Sequence, residues 1–244
     1  MNAAWSRPFV AWPHRGSPVS VATWMREVAE FLRICLMQTP YPAGAPRGHG
    51  EPVIVVPAFL SPDFSTGFLR RFLAYQGFAA ECWGCGMNVG PTHGAVLRLD
   101  RRLRETAARY GRKVSLVGIS LGGTLAREAA KRSPECVARV VTLASPINIP
   151  VVTPLAPLAR LAATMWDGDS ERAFEHVAEA PPVPLTAIVS KTDGVVDWRA
   201  CLPRPTAGVE TVLVSGAHMT ITSNACALEV VAARLAGVPE SVPD

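Results

Sequence analysis

Lys113-Val114-Ser115-Leu116-Val117-Gly118-Ile119-Ser120-Leu121-Gly122-Gly123-Thr124-Leu125 is the stretch that decides how the rest of the chain is read. A short β-branched run ends in Gly-Ile-Ser-Leu-Gly and gives way at Leu121 to a helical pattern reaching Arg132. A strand that becomes a helix at Gly-x-Ser-x-Gly has the context of a nucleophile elbow, a strained turn that exposes the serine hydroxyl. Glycines two positions to either side let strand and helix approach. The serine also stands at a helix N-terminus, where free N–H groups and the dipole favour a developing negative charge. A glycine-rich turn without chemistry is the competing reading, and the position after a central apolar strand argues against it.

Outward from the elbow, similar runs recur at Val53–Val56, Phe78–Cys82, Val140–Leu143, Leu185–Val189 and Thr211–Val214. Runs without polar alternation suit strands buried on both faces of a parallel sheet. Helical patterns lie between them, at about 65–76, 95–110, 121–132 and 224–235. Strand–helix alternation predicts an α/β fold with helices on both faces of the sheet. About forty residues separate the run ending at Leu143 from the one starting at Leu185, more than a crossover needs. Prolines crowd this interval, with Pro150, Pro154, Pro157, Pro181, Pro182 and Pro184 among them, so residues 147–184 read as an insertion.

A serine nucleophile needs a base, and the base needs an orienting carboxylate. Asp193 follows the Leu185–Val189 run, 73 residues after Ser120, and His218 follows the Thr211–Val214 run. Both therefore fall at the end of the sheet where Ser120 sits. Asp193-Gly194 also reads as a simple turn. The rival acid Asp197 looks like the cap of a short helix beginning at Trp198. Among the other histidines, His14 and His49 lie in Pro/Gly-rich arms, His176 lies in the insertion, and His93 is placed at a pocket mouth. Oxyanion donors are expected from the residue after the nucleophile, Leu121, and from Phe59 in the loop after Val53–Val56.

The 244 residues carry 24 Lys plus Arg against 20 Asp plus Glu, and 49 % are hydrophobic, which excludes overall disorder. Net charge is +10 over residues 1–166 and −6 over 167–244. Much of the positive half is Arg98, Arg101, Arg102, Arg104, Arg109, Arg112 and Lys113, read as a solvated helix face. Interleaved aromatics for nucleic-acid stacking are missing there apart from Tyr110, so no nucleic-acid partner is expected. No apolar run is long enough to span a membrane, and Trp5-Ser6-Arg7-Pro8 interrupts any signal-like start, so a cytoplasmic location is expected. Cys82-Trp83-Gly84-Cys85 has redox-motif spacing, but a loop follows it where a low-pKa thiol needs a helix N-terminus. A zinc site would need two further ligands.

Residues 19–38 read as a helix with Val21, Met25, Val28, Leu32 and Cys35 on one stripe and Arg26, Glu27, Glu30 and Arg33 on other faces. Packing of that stripe on the body is the expectation. The alternatives are a dimer element or a weak interfacial anchor through Trp24, Phe31 and Met37.

Val53–Leu60, Trp83–Pro91, Lys113–Leu125, Ser145-Pro146, Asp193–Val196 and Gly216-Ala217-His218 together resemble the α/β-hydrolase superfamily, in particular its small bacterial lipase- and esterase-like members. The resemblance covers about residues 51–236. It implies a Ser120–His218–Asp193 triad, a two-step acyl-enzyme mechanism on carboxylic esters and no cofactor. Many relatives carry His-Gly or Pro-Gly where this chain has Pro57-Ala58. The fold's usual first strands have no counterpart, so about six strands are expected. Residues 1–50 are then an N-terminal arm and helix, 51–244 the hydrolase domain, and 147–184 its lid. Leu155, Leu158, Leu161, Met165 and Trp166 would form an apolar roof over Ser120. Candidate substrate contacts are Phe59, His93, Met165, Trp166 and Met219, with a hydrophobic ester as the partner. Acyl transfer to an alcohol and non-catalytic binding are the alternatives on the same scaffold.

Overall fold

The computed structural model describes residues 9–11, 19–36, 40–90, 92–148, 151–158 and 176–237. In chain order its elements are β1 (Phe9–Ala11), α1 (Val21–Leu36), β2 (Pro52–Val56), α2 (Gly67–Tyr75), β3 (Ala79–Cys82), α3 (His93–Tyr110), β4 (Val114–Ile119), α4 (Leu121–Arg132), β5 (Val137–Leu143), β6 (Val151–Thr153), β7 (Leu185–Ser190), β8 (Val209–Val214) and α5 (Ala225–Leu235). Each of the six expected sheet strands is present, within three residues of its anticipated start.

Six strands form one parallel sheet in the order β3-β2-β4-β5-β7-β8. Side chains alternate across it, as the period of two requires. Val53 and Val55 point toward Leu69, Phe72 and Leu73 of α2 and Leu228 and Val231 of α5. Ile54 and Val56 point toward Leu99 and Leu103 of α3 and Leu125 and Ala129 of α4. Every residue of β2, β4 and β7 is buried, which explains their unbroken apolar reading. At the β3 edge, Glu81 accepts from Arg102 at 2.7 Å, from Arg109 at 2.5 Å and from the Tyr110 hydroxyl at 2.9 Å. Part of the basic face of α3 is thus pinned to the sheet edge.

The topology decides where a site can form. From β2 the chain crosses outward to β3, then returns past β2 to β4 and continues in the opposite direction. Reversal of strand order between β2 and β4 opens a crevice at their carboxyl ends. Register brings the exits together, because Val56 pairs with Gly118, Leu143 with both Ile119 and Ile188, and Ser190 with Val214.

Two features differ from expectation. Phe9–Ala11, inside an arm expected to be irregular, pairs in parallel with Val151–Thr153. Its partner is remote in sequence, so no local pattern announces it. The stripe of α1 also points the other way: Val21, Met25 and Leu32 are 58 %, 65 % and 55 % exposed, and Val28 is exposed too, whereas Glu27 is fully buried. Tertiary hydrogen bonds to Glu27, described below, override the amphipathic pattern.

Helix α4 approaches β2 so closely that a Cβ on Gly122 would collide with the Pro57 and Val56 carbonyl oxygens. Gly122→Ala is expected to lower stability by about 1–3 kcal/mol, as overpacking against backbone does. A shifted urea midpoint at unchanged m checks this, and an unshifted midpoint would contradict it.

Candidate active site

Ser120 links β4 to α4 with φ 51° and ψ −126°, a conformation that L-residues seldom adopt. Such strain costs on the order of 1–3 kcal/mol and persists where neighbours over-determine it. Here the Ser120 N–H donates to Leu143 O at 2.7 Å, and Gly118 packs on the Gly123 backbone with no room for a side chain. A serine preceding a helix commonly uses its hydroxyl to cap the first turn. Ser120 makes no such bond, so its hydroxyl is left available.

Asp193 and His218 come from the loops after β7 and β8. Asp193 Oδ2 meets His218 Nδ1 at 2.6 Å, while Oδ1 accepts the Val195 and Val196 N–H groups at 2.8 and 2.7 Å. One carboxylate thus makes the turn with one oxygen and orients the imidazole with the other. With Nδ1 engaged, Nε2 is the nitrogen left for chemistry. Burial opposes charging of the His218 ring. The charge of Asp193, its hydrogen bond and the charge of Glu27 outweigh that effect and raise the imidazole pKa above its ordinary 6.5. Asp197 instead accepts the Arg199 N–H at 3.0 Å, the cap expected of it.

The loop after β2 is fastened by a residue the sequence did not single out. Buried Asn88 donates through Nδ2 to Pro57 O at 2.8 Å. Its backbone carbonyl accepts the Leu60 N–H at 2.7 Å, and its N–H donates to Ser61 O at 3.1 Å. Leu60 adopts φ 53° within this clasp. Phe59 is therefore fixed beside the elbow, where Leu121 opens α4 with an N–H that has no intrahelical acceptor. The only sequence signal for Asn88 is its setting in the Gly86-Met87-Asn88-Val89-Gly90 turn.

A cavity of about 300 Å³ joins these parts. Ser120, His218, Phe59 and Met219 line it, together with Ile119, Val195, Ala58 and Leu155. Trp24 and Phe31 of α1 complete an apolar wall, a role that reading the helix by its aliphatic stripe missed. No hydrogen bond joins Ser120 Oγ to His218 among the described residues; bonds of this type often tighten only when substrate is bound.

His93 is elsewhere. It lines a different cavity with Val96, Lys131, Arg132 and His176, at the far end of α4 from Ser120. The reason is the Thr92 cap, whose hydroxyl accepts the Ala95 N–H at 3.0 Å and starts α3 at His93. Met165, Trp166 and Leu161 lie outside the described residues. Cys82 and Cys85 are free thiols, and burial pushes Cys85 above its ordinary pKa, opposite to what redox chemistry requires. Among the described residues, no helix is long and apolar enough to cross a membrane.

His218 should titrate above 6.5 when followed by NMR of its ring protons. Asp193→Asn removes the larger of the two charges that favour the imidazolium and leaves only Glu27 against burial, so the midpoint should fall. A wild-type midpoint at or below 6.5 would contradict the described environment.

No protein-family model matches the chain, and no curated protein matches it in sequence. Solved structures do. Lipase B of Aspergillus fumigatus superposes with a TM-score of 0.59 at 18 % identity, over 80 % of this chain and 55 % of that one. This chain thus spans little more than half the length of that lipase. The mature Bacillus licheniformis lipase BlEst2 gives 0.57 at 17 %, covering 80 % and 96 %. Monoacylglycerol lipase of Paleococcus ferrophilus gives 0.55 at 14 %, covering 78 % and 97 %. At these identities the likeness concerns architecture, and together with the six parallel strands, the flanking helices and the serine between β4 and α4 it means that this chain has the α/β-hydrolase fold.

Proposed function

We propose that this chain is a serine hydrolase of carboxylic esters with hydrophobic acyl groups. The observation that carries the reading is the Asp193–His218 pair at 2.6 Å opening onto the same apolar cavity as a strained, uncapped Ser120. The names of the three neighbours, all lipases, support it.

Ser120 Oγ attacks the ester carbonyl while His218 Nε2 takes its proton. The carbonyl oxygen becomes an oxyanion held by the N–H groups of Phe59 and Leu121, at the positive end of α4. Collapse expels the alkoxide, which leaves as the alcohol with the proton from His218. The acyl-enzyme is then attacked by water, which gives a proton to the same nitrogen, and the acid is released as Ser120 regains it. Asp193 keeps the ring in the tautomer with Nδ1–H and stabilises the imidazolium. Trp24, Phe31, Phe59, Leu155 and Met219 hold the acyl chain. Among the described residues the wall carries no charged side chain and only His218 can titrate, which disfavours sugars and charged peptides.

Residues 51–244 act as the hydrolase domain in this reading, with 1–50 as an arm whose helix closes the pocket. Residues 147–184 act as a lid. Leu155 in the cavity wall supports that role, with Met165 and Trp166 as its proposed roof.

A fluorophosphonate probe should label the wild type and leave Ser120→Ala unlabelled; equal labelling of both would exclude Ser120 as nucleophile. Asp193→Asn should lose about 10⁴ in kcat through the wrong tautomer. A larger loss in Asp197→Asn would move the acid's role there. Because only neutral His218 can accept the serine proton, kcat/KM should rise with pH through an apparent pKa above 6.5. A flat profile from pH 5 to 8 would contradict His218 as base.

A further inference from the structure

Glu27 is fully buried, on a helix whose aliphatic stripe faces away from the body. An ionised carboxylate removed from water needs replacement hydrogen bonds. Three backbone donors supply them. The Gly194 and His218 N–H groups donate to Oε1 at 2.8 and 2.7 Å, and the Met219 N–H donates to Oε2 at 2.9 Å. Gly194 directly follows Asp193 in the loop after β7. His218 and Met219 open the turn His218–Ser223 after β8, where no preceding turn offers an acceptor. A single carboxylate from α1 therefore bridges the loop of the acid and the loop of the base.

Gly194 records how tightly α1 is seated. A Cβ there would stand 2.5 Å from Thr23 O and 2.8 Å from Glu27 Cγ, so no side chain fits between helix and loop. The glycine that looked like half of an Asp-Gly turn is required by the approach of a helix 167 residues earlier in the chain.

We propose that Glu27 is a positioning residue, clamping the Asp193 and His218 loops in one register so that the imidazole faces Ser120, a role that rests on the hydrolase reading above. It touches neither substrate nor reacting atoms. Its effect passes through the backbone of His218 itself, the shortest route by which a distant helix can set the base's position. Its negative charge adds to that of Asp193 in favouring the imidazolium that forms during proton transfer. Trp24 and Phe31 flank Glu27 at helical spacing and line the cavity, so the same helix seats the base and closes the pocket.

Glu27→Gln keeps the shape but replaces one acceptor oxygen by an NH₂ that cannot accept. Steady-state hydrolysis of p-nitrophenyl acetate should show kcat reduced about 10- to 100-fold, the range a charge-assisted hydrogen bond represents, with KM within about threefold of wild type. The low-field Nδ1 proton of His218 should shift or broaden in NMR spectra. Glu30→Gln, on the same helix but paired with exposed Arg33 and with no other partner among the described residues, should behave as wild type. Glu27→Asp, which keeps the charge but withdraws it from the donors, should also lose kcat. A folded Glu27→Gln with kcat within twofold of wild type, or with the loss confined to KM, would overturn the role. So would loss of the cooperative thermal transition in both Glu27 variants, which would make the residue structural. Fluorophosphonate labelling separates this from the parent reading. Wild type that takes no probe sinks the serine nucleophile, whereas wild type and Glu27→Gln labelling at equal rates sinks only the clamp.

Discussion

The backbone of Ser120 is the constraint on which the rest of the molecule depends. A non-glycine residue at φ 51° and ψ −126° is stable only where both flanks are fixed, and here they are fixed by contacts that leave no room for a side chain. Gly118 meets Gly123, Gly122 meets the carbonyls at the end of β2, and the Ser120 N–H reaches Leu143 on β5. These contacts lock strand, helix and the two neighbouring strands to one another. They also place the first N–H of α4 beside the Phe59 loop, at the crevice where strand order reverses.

A second constraint follows from burying charge. Asp193 and Glu27 are both withdrawn from water within reach of one imidazole, and neither is left short of donors. Between them they accept five backbone N–H groups and the ring of His218. Satisfied in this way, buried carboxylates rigidify the loops that carry them; unsatisfied, each would be strongly destabilising. Helix α1 supplies a wall of the pocket and one of its two buried carboxylates from outside the strand–helix repeat. The N-terminal arm thus belongs to the site by position although it lies outside the sheet.

What the sequence revealed follows from how local each signal is. Strands β2, β4 and β7 were legible because burial on both faces leaves an apolar run. The positions of Ser120, Asp193 and His218 at the carboxyl ends of β4, β7 and β8 are legible because each lies within a few residues of a strand's end, although only β4 and β7 are buried throughout. Asn88 and Glu27 act across long separations, and a polar residue bonded to remote backbone looks like any solvated one. The α1 stripe misled for a related reason. Its aliphatic face outnumbers the inward one, and the true inward signal was the aromatic pair Trp24 and Phe31 with Glu27 between them. His93 faces a different cavity because the Thr92 cap, which a Gly-Pro-Thr-His-Gly sequence does not distinguish from a loop, makes it the first residue of α3. Phe9–Ala11 could not be anticipated, since its partner strand is remote in the chain.

If Ser120 is the nucleophile, a covalent acyl intermediate forms on it. Rapid mixing with a p-nitrophenyl ester, followed by acid quench and mass spectrometry of the peptides, tests it most directly. A burst of nitrophenolate approaching one equivalent per chain is expected when deacylation is the slower step, with an acyl adduct on the peptide carrying Ser120. Turnover of the ester with the acyl group on another residue would contradict it.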